Sequence, residues 1–303
     1  MTEMTMLQQK MAAFAPICEL KFDESMAKHT SFRIGGNAEV FALPQNREEL
    51  AEILRLSANC GVKPVILGAG TNVLAPDAGM EGIVICLKDC LEGMEQLDEN
   101  RIRIMAGVTM TRAAVFAANL GLAGMEFAHG IPGTIGGGVY MNAGAYGGEM
   151  KDIVESVEIM DYCGNIKTMT CEDMAFYYRH SRLEETGEIV ISTVLRLLKG
   201  EKEEIHAKMR ELQVKRSASQ PLNMPSAGSA FKRPAQGYAA ALIDQCGLKG
   251  YQVGGAAIST KHAGFAVNMG GATAEDVKNL LKNVSDIVLE KTGILLEPEV
   301  RIW

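Results

Sequence analysis

The stretch GIPGTIGGGVYMNAGAYGG, residues 130–148, decides how the chain is read. It holds eight of the 32 glycines in 19 residues, and Pro132, Thr134, Tyr140, Asn142 and Tyr146 interrupt it without any repeat. A low-complexity linker is therefore excluded. Glycine weakens helices and strands, so a local surplus is expected where the backbone must approach something closely. Glycines at 130, 133, 136, 137 and 138 strip side chains from one run of chain, against which a large planar or phosphorylated ligand can lie. Thr134 adds a hydroxyl, and Asn142 an amide for the edge of a ring.

A second glycine turn, LGAGTNVL at 67–74, follows a short apolar run at 63–67. It fails the dinucleotide fingerprint G-x-G-x-x-G/A because Val73 fills the third position, where only a small residue permits close helix–strand packing. No G-x-x-x-x-G-K-[ST] exists either. What remains is a strand running into Gly68, Ala69, Gly70, Thr71 and Asn72, whose successive N–H groups suit an anion such as pyrophosphate. Taken alone, a mere tight turn fits equally well.

Outward from these segments, residues 1–28 read as a helical lead through Met4, Leu7 and Met11, ending in a turn near Asp23. Strands are predicted at 37–43, 63–67, 101–106, 153–160, 165–170 and 188–198, and helices at 47–59 and 109–120. Gly200 followed by EKEEIHAKMRELQVKR marks a shift in composition, which sets a boundary at 199–201 and domains of 1–200 and 201–303. The second contains a polar loop, helices at 237–246 and 273–291, and strands at 252–258, 264–269 and 294–302. Mixed strands and helices in this order give an α+β class.

Composition narrows the function. A 303-residue chain with 47% hydrophobic residues buries a sizeable core, and a net charge of −7 offers no positive field to nucleic acid or anionic lipid. Seven scattered cysteines without a C-x-x-C pair read as reduced thiols, and five histidines without metal-binding spacing leave a metal without ligands. No run of 18 apolar residues is present, and Glu3, Gln8 and Gln9 stand where a signal peptide needs a positive start and an apolar run. The expectation is a cytoplasmic protein acting on a small molecule, with no nucleic acid, membrane or metal partner.

The motifs KHTSFRIGGNA (28–38), LGAGTNVL, GIPGTIGGGVYMNAGAYG, YYRHS (177–181), PSAGSAFKRP (225–234), GLKG (247–250), KHAGFAVN (261–268) and LEPEVRI (296–302) occur in this order. Together they resemble the UDP-N-acetylenolpyruvoylglucosamine reductases, flavoenzymes that make UDP-N-acetylmuramate for bacterial peptidoglycan. The resemblance implies an FAD-binding domain of the vanillyl-alcohol-oxidase (p-cresol methylhydroxylase) type, made of two α+β subdomains, and a C-terminal α+β substrate domain. It also implies non-covalent FAD, NADPH as hydride donor and a UDP-linked enolpyruvyl amino sugar as substrate. The pyrophosphate then falls on Gly68, Ala69, Gly70, Thr71 and Asn72. Gly130, Ile131, Gly133, Thr134, Gly136, Gly137, Asn142, Ala143 and Gly144 line the rest of the FAD, and Arg216 serves flavin or substrate phosphates.

Reducing an enolpyruvyl ether to a lactyl ether requires a cation at the carboxylate, where charge accumulates, and a proton donor beside it. By the resemblance Arg179 is the cation, Ser229 the donor and Glu299 the catalytic glutamate. Without its motif each reads as an ordinary surface or loop residue. Strand alternation puts Glu297, Glu299 and Arg301 on one face, so spacing alone does not choose between the carboxylates; Glu299 is selected because it directly precedes Val-Arg. Tyr178, Lys232 and Arg233 are assigned to the substrate. Only a few residues separate Ser181 from the strand at 188–198, so the chain is similar to the shorter subgroup without a tyrosine lid. Another FAD oxidoreductase of this fold, acting on an alcohol or hydroxy acid, and a non-catalytic flavin- or nucleotide-binding module remain as alternatives.

Overall fold

The spacing of Leu50, Ile53 and Leu54 becomes the buried face of helix Arg47–Asn59. The Asn46 side chain caps it by accepting the Glu49 N–H at 2.8 Å, and Gly61, at φ +72°, turns the chain away. The computed structural model describes residues 4–14, 18–88 and 90–303. The chain divides into two compact units. The first comprises 1–22, 40–69 and 82–215, and the second 23–39, 70–81 and 216–303. The division differs from the sequence boundary at 199–201. Helix Lys202–Ser219 starts where the composition shifts, but its Ile205 and Met209 belong to the first unit's core. Two early segments also group with the C-terminal residues, because long-range packing is absent from a one-dimensional pattern.

Two sheets have four or more strands. One has the order Glu19–Ser25, Asn37–Leu43, Met80–Cys86, Val65–Leu67, with the last pair parallel and Leu67 opposite Cys86. The other has five strands in the order Ile166–Thr170, Val154–Met160, Ile189–Arg196, Arg101–Met105, Met94–Gln96, all antiparallel. Helix Met110–Asn119 buries Ala113, Ala114, Ala117 and Ala118, small residues that let it lie close to its neighbours. The helical lead expected over 1–28 needs correction: among the described residues only Met6–Ala13 is α-helix, and Glu19–Ser25 is a strand. Cys18, Leu20 and Phe22 pack against the core at every second residue, a period-two signal that a helical reading of the whole segment passes over.

The second unit has its own core around Phe32, Leu74, Phe231 and Ile243. A small antiparallel sheet, Gln252–Val253, Ala256–Ile258 and Ala266–Asn268, lies beside helix Ala274–Thr292, which buries Val277, Leu280, Leu281, Val284 and Val288. The strand expected at 294–302 shrinks to Arg301–Ile302, parallel to Val73–Leu74. Residues 297–299 instead bond antiparallel to 230–232, with Lys232 N–H on Glu297 O and Glu299 N–H on Ala230 O.

Helix Ala274–Thr292 opens with a capping box in which Thr273 Oγ1 accepts the Asp276 N–H and the Asp276 carboxylate accepts the Thr273 N–H. The Gly255 N–H and the Thr273 N–H donate to this carboxylate and hold its pKa below the ordinary value. A depressed folded-state pKa gives stability that is present above the unfolded value and lost as pH falls, here below about pH 4. Asp276→Asn is therefore expected to lower stability at neutral pH and to flatten its decline in acid, measured by chemical denaturation across pH 2–7. Parallel curves for the two proteins would contradict the assignment.

Among the described residues no helix is long and apolar enough to cross a membrane, and no group of three or more His, Cys, Asp or Glu side chains is placed to hold a metal. All seven cysteines are free thiols.

Candidate active site

Strand Val65–Leu67 runs straight into the turn at 68–72. The carbonyl of Gly70 accepts both the Ser31 N–H, at 2.9 Å, and the Ser31 hydroxyl, at 3.3 Å. The N–H groups of Gly68, Ala69 and Gly70, in contrast, donate to no acceptor among the described residues. Backbone donors need partners, and three adjacent ones free of protein acceptors fit an anion such as the FAD pyrophosphate. The Asn72 side chain is otherwise engaged: Nδ2 donates to Glu299 O at 3.2 Å, and Asn72 O accepts the Arg301 N–H at 3.0 Å. Asn72 thus ties the turn to the LEPEVRI segment, a role its place in a phosphate-type turn does not reveal.

The 130–148 segment uses most of its amides internally. Thr134 caps helix Ile135–Tyr140 by accepting the Gly137 N–H, while the Ile135 and Gly136 N–H groups bond Val108 O and Ala106 O. Gly130 N–H bonds Thr111 Oγ1, Gly133 O accepts the Met110 N–H, and Ile131 and Ala143 pack on the core. A Cβ at Gly136 would lie 3.1 Å from Ala106 Cβ, and one at Gly144 only 2.7 Å from Gly148 O. Packing therefore accounts for these two glycines. Gly137 differs: its Cβ would meet only Thr134 Oγ1, at 3.6 Å, with open space beyond. Gly68 abuts the same hydroxyl, with a Cβ there 2.8 Å from Thr134 Oγ1, so the two glycine segments meet at Thr134.

The Asn142 side chain is fully buried, and its amide is engaged within the protein. Nδ2 donates to Glu149 Oε2 at 2.7 Å and to Tyr177 O at 3.0 Å, and Oδ1 accepts the Lys151 N–H at 2.9 Å. The bond to Tyr177 leads to the arginine of YYRHS.

Residues 177–180 form a tight turn closed by Tyr177 N–H on His180 O and His180 N–H on Tyr177 O, with the two rings stacked at 3.7 Å. Tyr178 and Arg179 occupy its tip. Arg179 has φ +57°, where glycine or asparagine is ordinarily found. Its guanidinium lies 5.0 Å from the centre of the exposed Tyr178 ring and donates to Gly144 O at 3.2 Å. A cation on a strained turn, beside an exposed aromatic ring, is an arrangement seen at ligand clamps.

In the second unit Ser229 follows Gly228, at φ +76°, and forms an isolated bridge with Phe265. The Ser229 hydroxyl has no hydrogen-bond partner among the described residues. Glu299 is fixed next to it through Ala230, and is half-buried, whereas Glu297 is exposed and paired with Lys232 at 3.5 Å. The two glutamates are thus not equivalent, because 297–299 is not part of a regular strand. Arg233 stacks on Tyr238, 4.1 Å from the ring centre, and its Nε donates to Gly237 O. Arg216 is only 6% exposed and bonds Gln220. Ser31, unassigned in the sequence, donates to Ser226 O at 2.6 Å as well as to Gly70 O, joining the serine loop to the glycine turn. Its place in the KHTSFRIGG motif is the one available signal.

A family model described as an FAD binding domain matches residues 38–170, which defines the class: the chain is a flavoprotein oxidoreductase whose cofactor is FAD. The C-terminal domain of UDP-N-acetylenolpyruvoylglucosamine reductase matches residues 220–303. The reductases of that name from Caldanaerobacter subterraneus subsp. tengcongensis and Clostridioides difficile are 45% and 43% identical over 284 residues, covering 94% of this chain and 93% of each relative. The crystal structure of the reductase from Thermus caldophilus superposes with a TM-score of 0.78 at 35% identity, covering 94% of this chain and 98% of that one. The chain belongs to the UDP-N-acetylenolpyruvoylglucosamine reductase family, with the expected FAD-binding part followed by a C-terminal α+β domain.

Proposed function

We propose that this chain, acting in the cytoplasm, reduces UDP-N-acetylglucosamine enolpyruvate to UDP-N-acetylmuramate with NADPH as the hydride source. Bound FAD supplies hydride transfer from NADPH to the vinyl carbon of the sugar nucleotide. Arg179 pairs with the substrate carboxylate and stabilises the negative charge that develops there. Ser229 Oγ delivers a proton to the adjacent carbon. A serine is a weak acid, and the role works because an enolate carbon is strongly basic. Glu299 orients the substrate end and shares a proton with the enol. Tyr178, Lys232 and Arg233 serve the sugar nucleotide and its diphosphate, Arg216 a phosphate of substrate or flavin, and the amides at 68–70 the flavin pyrophosphate.

The observation that carries this reading is the linkage of three elements by hydrogen bonds to the Glu299 main chain. Glu299 is held between Ala230, the residue after Ser229, and Asn72, at the end of the open-amide turn. Purified protein is expected to be yellow, to bleach anaerobically with NADPH and to recover its colour on adding the enolpyruvyl sugar nucleotide. Because NADPH and the sugar nucleotide use the flavin in turn, double-reciprocal plots are expected to be parallel. A flavin that NADPH does not bleach, or that only an alcohol reduces, would overturn the proposal in favour of another oxidoreductase.

A further inference from the structure

The arginine turn is held by one short run of chain at alternate residues. Ser181 Oγ donates to Tyr140 O at 2.7 Å, Asn142 Nδ2 to Tyr177 O at 3.0 Å, and the Arg179 guanidinium to Gly144 O at 3.2 Å. Two of these three acceptors or donors on the 140–144 run are main-chain carbonyls; Asn142 alone contributes a side chain. Its other bonds, to Glu149 Oε2 and from the Lys151 N–H, fix the amide's orientation, and full burial excludes water from it. Among the described residues, Asn142 in the cradle (φ +41°) and Arg179 in the turn (φ +57°) are both non-glycine residues with left-handed backbone, and Tyr146 (+53°) and Ala175 (+46°) flank them. Such conformations persist only where the surroundings over-determine them. Tyr177 O already accepts the His180 N–H that closes the turn, and the Asn142 bond anchors that same carbonyl to the buried cradle.

We infer that Asn142 is a positioning residue for the reaction: it fixes the 177–180 turn so that Arg179 presents its guanidinium to the substrate carboxylate. The inference rests on the reading of Arg179 given above. Asn142 touches neither substrate nor reacting atoms, and its effect passes entirely through the arginine. A displacement of about 1 Å in a charge-stabilising group slows the step that uses it by up to about 100-fold.

The test compares Asn142→Asp, Asn142→Ser, Arg179→Ala and the double variant Asn142→Asp/Arg179→Ala by stopped-flow, with each half-reaction measured separately. Asn142→Asp keeps the shape of the side chain and the acceptor for the Lys151 N–H but has no amide donor for Tyr177 O. Flavin content and flavin reduction by NADPH are expected to stay at wild-type levels, while reoxidation by the enolpyruvyl sugar nucleotide slows about 10–100-fold. In the Arg179→Ala background the Asn142 substitution is expected to add less than about 2-fold, because both changes remove the same interaction. Multiplying effects, or equal slowing of both half-reactions, would overturn the inference. Loss of fold or flavin in both Asn142 variants would do the same, marking a residue needed for folding alone. Normal reoxidation in Arg179→Ala would instead remove the underlying reading, and that variant leaves Asn142 intact.

Discussion

Ser229→Ala is expected to leave flavin reduction by NADPH at its wild-type rate and to slow flavin reoxidation by the enolpyruvyl sugar about 10²–10⁴-fold. Proton delivery belongs only to the second half-reaction, so a residue that acts as the donor cannot affect the first. The fold has little to lose from the substitution. The Ser229 hydroxyl has no hydrogen-bond partner among the described residues, and the bridge to Phe265 uses main-chain atoms. The neighbouring Ser226 supplies the control, because its carbonyl rather than its hydroxyl accepts the bond from Ser31. Stopped-flow traces for each half-reaction decide the matter. Equal slowing of both halves, or of neither, would remove Ser229 from the role of proton donor.

Gly70→Ala is expected to destabilise the protein by about 3 kcal/mol or more and to abolish flavin retention. The φ of +63° already costs an alanine about 1 kcal/mol, and its Cβ would lie 2.0 Å from His29 O and 3.0 Å from Thr30 Cα. Both obstacles are backbone atoms and cannot swing aside as a flexible side chain would. Gly137→Ala is the contrasting case. There the added methyl meets only Thr134 Oγ1, at 3.6 Å, and a helical glycine replaced by alanine gains about 0.5–1 kcal/mol. That variant should fold at least as well as wild type yet hold flavin less tightly, because its methyl fills space left for a ligand. Thermal unfolding and the flavin-to-protein absorbance ratio separate the two outcomes. A Gly70→Ala protein that unfolds at the wild-type temperature would contradict the geometry of this turn.

Helices with strong apolar periodicity were legible in the sequence. Residues 47–59 and 273–291 correspond to Arg47–Asn59 and Ala274–Thr292, each opened by a side-chain cap. The strand at 188–198 is likewise observed as Ile189–Arg196. Elements whose pattern was weak were read less well. The helical spacing of Met4, Leu7 and Met11 does not extend to the strand Glu19–Ser25, whose own alternation spans few residues, and Pro298 interrupts the strand expected over 294–302. A proline lacks the N–H a ladder needs, and the segment around it pairs through one isolated bridge, between Phe231 and Pro298.

The glycine-rich stretch shows the same limit at the candidate site. Its composition called for close approach of backbone, and that is found, but the approach at Gly136 and Gly144 is to the protein's own Ala106 and Gly148. Only Gly137 faces open space among the helical glycines, and the open amides lie in the other glycine turn, at Gly68, Ala69 and Gly70. Glycine content reports that side chains are missing. It does not report which neighbour occupies the space.

Residue identity and order by themselves determined the family, the flavin and the short inventory of groups able to carry the chemistry, because these depend on side-chain type and local spacing. Tertiary structure alone decided which partner each group finds. It set Glu299 apart from Glu297, joined the Asn142 amide to Tyr177 O, and gave Asn72 and Ser31 their partners. The partners lie 35 residues away for Asn142 and Tyr177, 195 for Ser31 and Ser226, and 227 for Asn72 and Glu299. No local periodicity encodes a hydrogen bond across such separations; it exists only once burial of the two cores has brought those segments together.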